Sequence, residues 1–73
     1  MPKLGIFSGQ EVQQILESEG FHLVRQKGSH LIMQKLASFE TVTVPVPNHK
    51  EIRTGTLLSI IRQSGVDRMK FTV

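Results

Sequence analysis

Two periods of apolar residues divide this chain, one helical and one extended. In "SGQEVQQILESEGF" the apolar residues Val12, Ile15 and Leu16 recur at helical spacing and mark one buried face. Ser8 stands three residues before Glu11, the spacing of a capping box, so the helix is predicted to begin there. Gly20 suits the left-handed position after the helix end, and Phe21 beyond it can fold back on Leu16. The stretch "RTGTLLSIIRQSGV" repeats this punctuation. Thr54 is the predicted N-cap, Leu57, Ile60 and Ile61 form the stripe, and Gly65 ends the helix with Val66 placed to touch Ile61.

Between these helices the period shortens to two. "TVTVPV" puts Val42, Val44 and Val46 on one face and the threonines on the other. Pro45 removes a backbone donor and so predicts an edge strand or a frayed strand end. "FHLVRQ" and "HLIMQK" flank Lys27-Gly28-Ser29, where Gly28 can supply the positive φ of a tight hairpin turn. Residues 36 to 40 read as a loop. The expected fold is α+β, in the order α-β-β-β-α: a three-stranded antiparallel sheet with both helices packed on one face and the other face open. This is the architecture of double-stranded RNA-binding domains. Residues 1 to 73 are read as one domain, without repeat or linker.

Composition narrows the function. The chain has no cysteine, which removes disulfides and thiolate metal sites and fits a reducing compartment. No apolar run approaches the ~20 residues that span a bilayer. "MPKLGIFSGQEV" lacks the apolar core of a signal peptide, so a cytoplasmic location without membrane contact is expected. The net charge is +3, unevenly spread. Residues 8 to 20 carry Glu11, Glu17 and Glu19 with no Lys or Arg, whereas residues 21 to 53 carry Arg25, Lys27, Lys35, Lys50 and Arg53 against Glu40 and Glu51. That polarity suits a polyanion on one face, although an ordinary solvated surface has the same composition.

Few side chains can do chemistry. His22 sits among apolar neighbours and reads as a half-buried packing residue. His30 starts the second strand. With Lys27-Gly28 as the loop, Arg25 falls directly across from it, and a nearby guanidinium disfavours imidazolium and favours the neutral form that a general base requires. His49 lies in "VPNHKEIRTG", beside Lys50 and Arg53 and ahead of a helix start whose free N–H groups suit a phosphate. There is no phosphate-loop motif and no nucleophile elbow, and no metal or cofactor is expected. RNA, however, brings its own nucleophile, the 2′-hydroxyl, and asks only for a base, an acid and cations. His30 is thus a candidate RNA-cleaving residue. A non-catalytic RNA-binding module and a protein-interaction domain that has lost ribonuclease activity are the alternatives.

The segments "SGQEVQQILESEGFHLVRQKGSHLIMQK" and "VTVPVPNHKEIRTGTLLSIIRQSGV" resemble the HicA toxin family of bacterial toxin–antitoxin systems. The most specific parts are "GFHLVRQKGSH", "VPVPNH" and "GTLLSIIRQSG". The resemblance implies a small endoribonuclease that degrades messenger RNA. Its catalytic residue would be His30 of the Gly-Ser-His motif, with His49 of the Val-Pro-x-His element as a further part of the site. Phosphate contacts would come from Arg25, Lys27, Gly28, Ser29, Lys35, Lys50 and Arg53. The implied partners are RNA and a HicB-like antitoxin that blocks His30, with DNA reached only through that antitoxin. Leu31 follows Gly-Ser-His where the family often has an aromatic residue or histidine, and Arg68 and Lys70 stand where it tends to be acidic.

Overall fold

The computed structural model describes residues 3–73. Its elements are α1 (Gly9–Ser18), β1 (His22–Lys27), β2 (His30–Ala37), β3 (Glu40–Pro47) and α2 (Thr54–Ser64), followed by a 3-10 turn (Arg68–Phe71). The strands form one antiparallel sheet in the order β1-β2-β3. This is the expected α-β-β-β-α arrangement, like that of double-stranded RNA-binding domains.

Local signals set the ends of α1. The Ser8 hydroxyl accepts from the Glu11 N–H at 3.1 Å, and the Ser8 N–H donates to the Glu11 carboxylate at 2.8 Å. The capping box is complete, so two of the helix's orphan donors are satisfied. At the other end the Phe21 N–H reaches the Leu16 carbonyl at 3.0 Å, and the Gly20 N–H reaches Glu17 at 3.1 Å. With Gly20 at φ 96°, this is the Schellman closure, and it turns Phe21 into the core. The start of α2 differs from expectation. Arg53 is the N-cap, with extended backbone and no side-chain cap bond, and Thr54 is the first helical residue. The reason lies in the ladder: the Leu57 N–H bonds the Arg53 carbonyl at 2.9 Å, so the helix begins one residue before a threonine cap would allow.

Alternation decides what each strand buries. Leu31 and Met33 of β2 and Val44 and Val46 of β3 are buried and paired across the sheet, Leu31 with Val46 and Met33 with Val44. They meet Val12 and Leu16 of α1 and Leu57 and Ile60 of α2 in one core, closed by Phe21, Ile52, Val66 and Phe71. The residues between them, among them His30, Gln34, Thr43 and Pro45, lie on the opposite face, which no helix covers. β3 is an edge strand, as Pro45 suggested. Residues 36 to 40 are not a loop. Leu36 and Ala37 continue β2, Glu40 opens β3, and only Ser38-Phe39 turns the chain, with Ser38 at φ 50°. Without glycine, proline or asparagine there, Ser38 was the one turn-forming residue, too little to place a two-residue turn inside the stretch.

The C-terminal segment completes the core from outside the sheet. Asp67 caps the 3-10 turn through the Met69 N–H at 2.9 Å, and Phe71 is fully buried, edge-on to Phe7 with ring centroids 6.1 Å apart. Leu4 and Thr72 form an antiparallel bridge, with the Gly5 N–H on the Phe71 carbonyl at 2.8 Å. A domain this small has few other large side chains to bury. Phe71→Ala is therefore expected to cost about 3–5 kcal/mol, read as a large fall in the urea midpoint. A midpoint within error of wild type would contradict this account of the core.

Candidate active site

The hairpin between β1 and β2 is a two-residue loop of Gly28 and Ser29, with Lys27 paired to His30. Gly28 takes φ 59°, which glycine adopts without strain, and a Cβ there would meet nothing within 4 Å. The constraint is on the backbone, not on space. The loop is one residue later than expected, so Lys27, not Arg25, stands directly across from His30. Arg25 pairs with Ile32. Near the turn the register differs by two residues, which keeps side chains on their faces, so Arg25 still shares the open face with His30 as its diagonal neighbour. Past Arg25 a bulge before Leu23 breaks the alternation. His22 also differs from expectation: it is exposed, at the start of β1, paired with Gln34 on the open face.

The second part of the site is the connection from β3 to α2. The Asn48 N–H donates to the Ser29 carbonyl at 2.6 Å, which carries the β2–β3 ladder past its last paired residues into the hairpin turn. The next carbonyl, that of His49, accepts from the Gly9 N–H at 2.8 Å, and the Ile52 N–H reaches Phe7 at 2.8 Å. Three backbone bonds thus hold the loop against the turn and against the start of α1. His49 and Lys50 line a shallow cleft with Ser8, Gln10 and Asn48. Gly9 is buried, and a Cβ on it would run into the Pro47 carbonyl oxygen and Asn48. Only glycine lets α1 come this close to the loop that carries His49.

One end of the molecule therefore gathers Lys27, Gly28, Ser29, His30, His49 and Lys50, with Arg25 next along the open face. His30 and His49 are both exposed, as are the cations beside them. Arg53 is exposed too, at the start of α2. Lys35 is not part of this group. It lies five residues along β2 from His30 on the helix-covered face, its ammonium 5.8 Å from the centre of the Phe21 ring. Exposed imidazoles among ammonium groups can move protons beside an anion, since histidine is the side chain that exchanges its proton near neutral pH. Among the described residues no three of His, Asp and Glu come together in a group that could hold a metal ion.

A second feature went unread in the sequence. Gln10, Gln13 and Gln14 of α1, with Gln26 of β1 and Asn48, line a groove beside this end of the sheet. Uncharged amides at helical spacing look like ordinary solvated helix surface. Their only signal was the unusual run of amides without a cation among them.

The architecture predicts that Gly9→Ala folds but displaces the Asn48–His49 loop. The check is the backbone amide spectrum, expected to change at residues 48–50 and at Ser29. An unchanged spectrum there would show that α1 does not position the loop.

Compared with known proteins, residues 9–66 match the family model described as HicA toxin of bacterial toxin-antitoxin. No curated protein and no solved structure matches the chain.

Proposed function

Since the chain belongs to the HicA toxin family, we propose that it is an endoribonuclease that cleaves messenger RNA through the RNA's own 2′-hydroxyl. The observation that carries the reading is the backbone bond between Asn48 and Ser29, which brings the segments bearing His49 and His30 to one cation-lined end of the sheet.

The chemistry asks little of the protein. One histidine takes the proton from the 2′-hydroxyl, the O2′–P bond forms, and the P–O5′ bond breaks. A second group gives a proton to the departing 5′-oxygen. The products are a 2′,3′-cyclic phosphate and a 5′-hydroxyl. His30 is assigned one proton transfer and His49 the other, each worth typically ~10²–10⁴ in rate. Lys27 and Arg25 on the open face, with Lys50 and Arg53 beyond His49, neutralise the phosphates. The exposed backbone of Gly28 and Ser29 leaves room for the chain to approach. Lys35, on the other face, would contact only RNA that wraps around the sheet.

Family membership implies an antitoxin partner. The proposed one is HicB-like and inhibits by covering His30, with DNA reached only through it. The site of action is the cytoplasm. Among the described residues, no helix is long and apolar enough to cross a membrane.

The test is a gel assay on single-stranded RNA with EDTA present. Wild type is expected to cleave it and to leave cyclic or 3′-phosphate ends, while His30→Ala is expected to lose at least about 10²-fold in rate. The thermal midpoint of that variant should match wild type, because an exposed hairpin residue holds little of the core. Products with 3′-hydroxyl ends would rule out the 2′-hydroxyl route. Intact RNA with folded wild type would leave an RNA-binding module or a protein-interaction domain.

A further inference from the structure

The groove between α1 and β1 is the feature that the proposed cleavage reaction leaves unused. Its polar lining is amide: Gln10, Gln13, Gln14, Gln26 and Asn48. Leu23 and Leu31 supply apolar surface, Leu23 partly exposed and Leu31 buried in the sheet. Glu17 is the one charged residue among those lining it, and none of them is Lys or Arg. Such a groove repels a phosphate. It suits a ligand that is flat, uncharged and edged with both donors and acceptors.

An amide side chain offers two donors and an acceptor. Gln13 spends one donor on Glu17 at 3.4 Å, and Gln26 spends one on the Gly28 carbonyl at 3.2 Å. Each keeps a second donor and can accept through its oxygen. These weak tethers orient the amides without using them up.

Position supplies the second argument. Successive strand residues point to opposite faces, so Gln26 and Leu31 face the groove while their neighbours Lys27 and His30 face the open side. The two sides meet at the end of the hairpin, where Asn48 both lines the groove and bonds Ser29. A nucleic-acid strand crossing that end can keep its phosphates by Lys27 and His30 and turn an adjacent base inward. We infer that the amide-lined groove holds an unpaired nucleobase of single-stranded RNA next to the cleaved phosphate, and that its amides read the edge of that base. This rests on RNA being the substrate, and it adds the source of sequence preference.

The test separates the two claims. An uncleavable 2′-O-methyl single-stranded RNA and an abasic chain of equal length are titrated into the labelled protein, following backbone and side-chain amides by NMR. The Gln13, Gln14 and Gln26 amide signals are expected to shift with the base-bearing chain and not with the abasic one. The Lys27 and His30 signals should shift with both. Gln14→Ala, at an exposed position on α1, is expected to weaken the base-bearing chain roughly 2- to 10-fold, the scale of one hydrogen bond, and to leave the abasic chain's affinity unchanged. Shifts at Lys27 and His30 with silent glutamines, or glutamine shifts equal for both chains, would overturn the groove as a base site and leave the cleavage reading standing. Silence at both sets would overturn both.

Discussion

The bond from the Asn48 N–H to the Ser29 carbonyl fixes much of what surrounds it. In an antiparallel pair, residues alternate between hydrogen-bonded and non-bonded positions. With Asn48 bonded to Ser29, the bonded partners along the register are Leu31–Val46, Met33–Val44 and Lys35–Val42. Pro45 and Pro47 then fall at positions where an N–H would point to the free edge of β3, so their missing donors cost the ladder nothing. The same prolines blunt that edge against pairing with another chain. One parity thus places the valines in the core, the prolines at the edge, and His30 beside Pro47, two residues before His49.

Residues of the candidate site are exposed and contribute little to the core. A domain this small has a thin stability margin and no disulfide to add to it. Its core is built from apolar residues of the helices and of the inner strand faces, with Phe7 and Phe71 joining the two chain ends. The chemistry-bearing side chains project from a tight turn and a short loop, positioned by backbone bonds instead of by burial. Such a division lets the site vary while the fold stays intact, and it leaves one whole face of the sheet free for RNA or a protein cover.

Features set by neighbours in sequence were legible before the structure. The Ser8–Glu11 box, the Gly20–Phe21 closure, the glycine in the first hairpin turn and the alternation of Val42, Val44 and Val46 all follow from local rules. Register was less legible. Whether the loop was Lys27-Gly28 or Gly28-Ser29 depends on how the strands pair, and this decided that Lys27 lies opposite His30. The cap of α2 was misplaced by one residue because the helix starts with the Leu57–Arg53 bond, and the Ser38-Phe39 turn was hidden by its residue types. Long-range features gave no signal at all: the Leu4–Thr72 bridge, the packing of Phe71, and the approach of Gly9 to Pro47. For the site, "KGSH" and "VPNH" each pointed to their histidines, but only the folded chain brings the two segments together and sets Lys35 apart.

In the proposed cleavage, His30 and His49 act as one unit because their segments are bonded into one end of the sheet. Single-turnover cleavage by His30→Ala, His49→Ala and the double variant tests it most directly. Groups that serve the same step are strongly non-additive. The double variant is expected to cleave no more slowly than the slower single variant. Losses that multiply would mean that the two histidines contribute independently, and would contradict it.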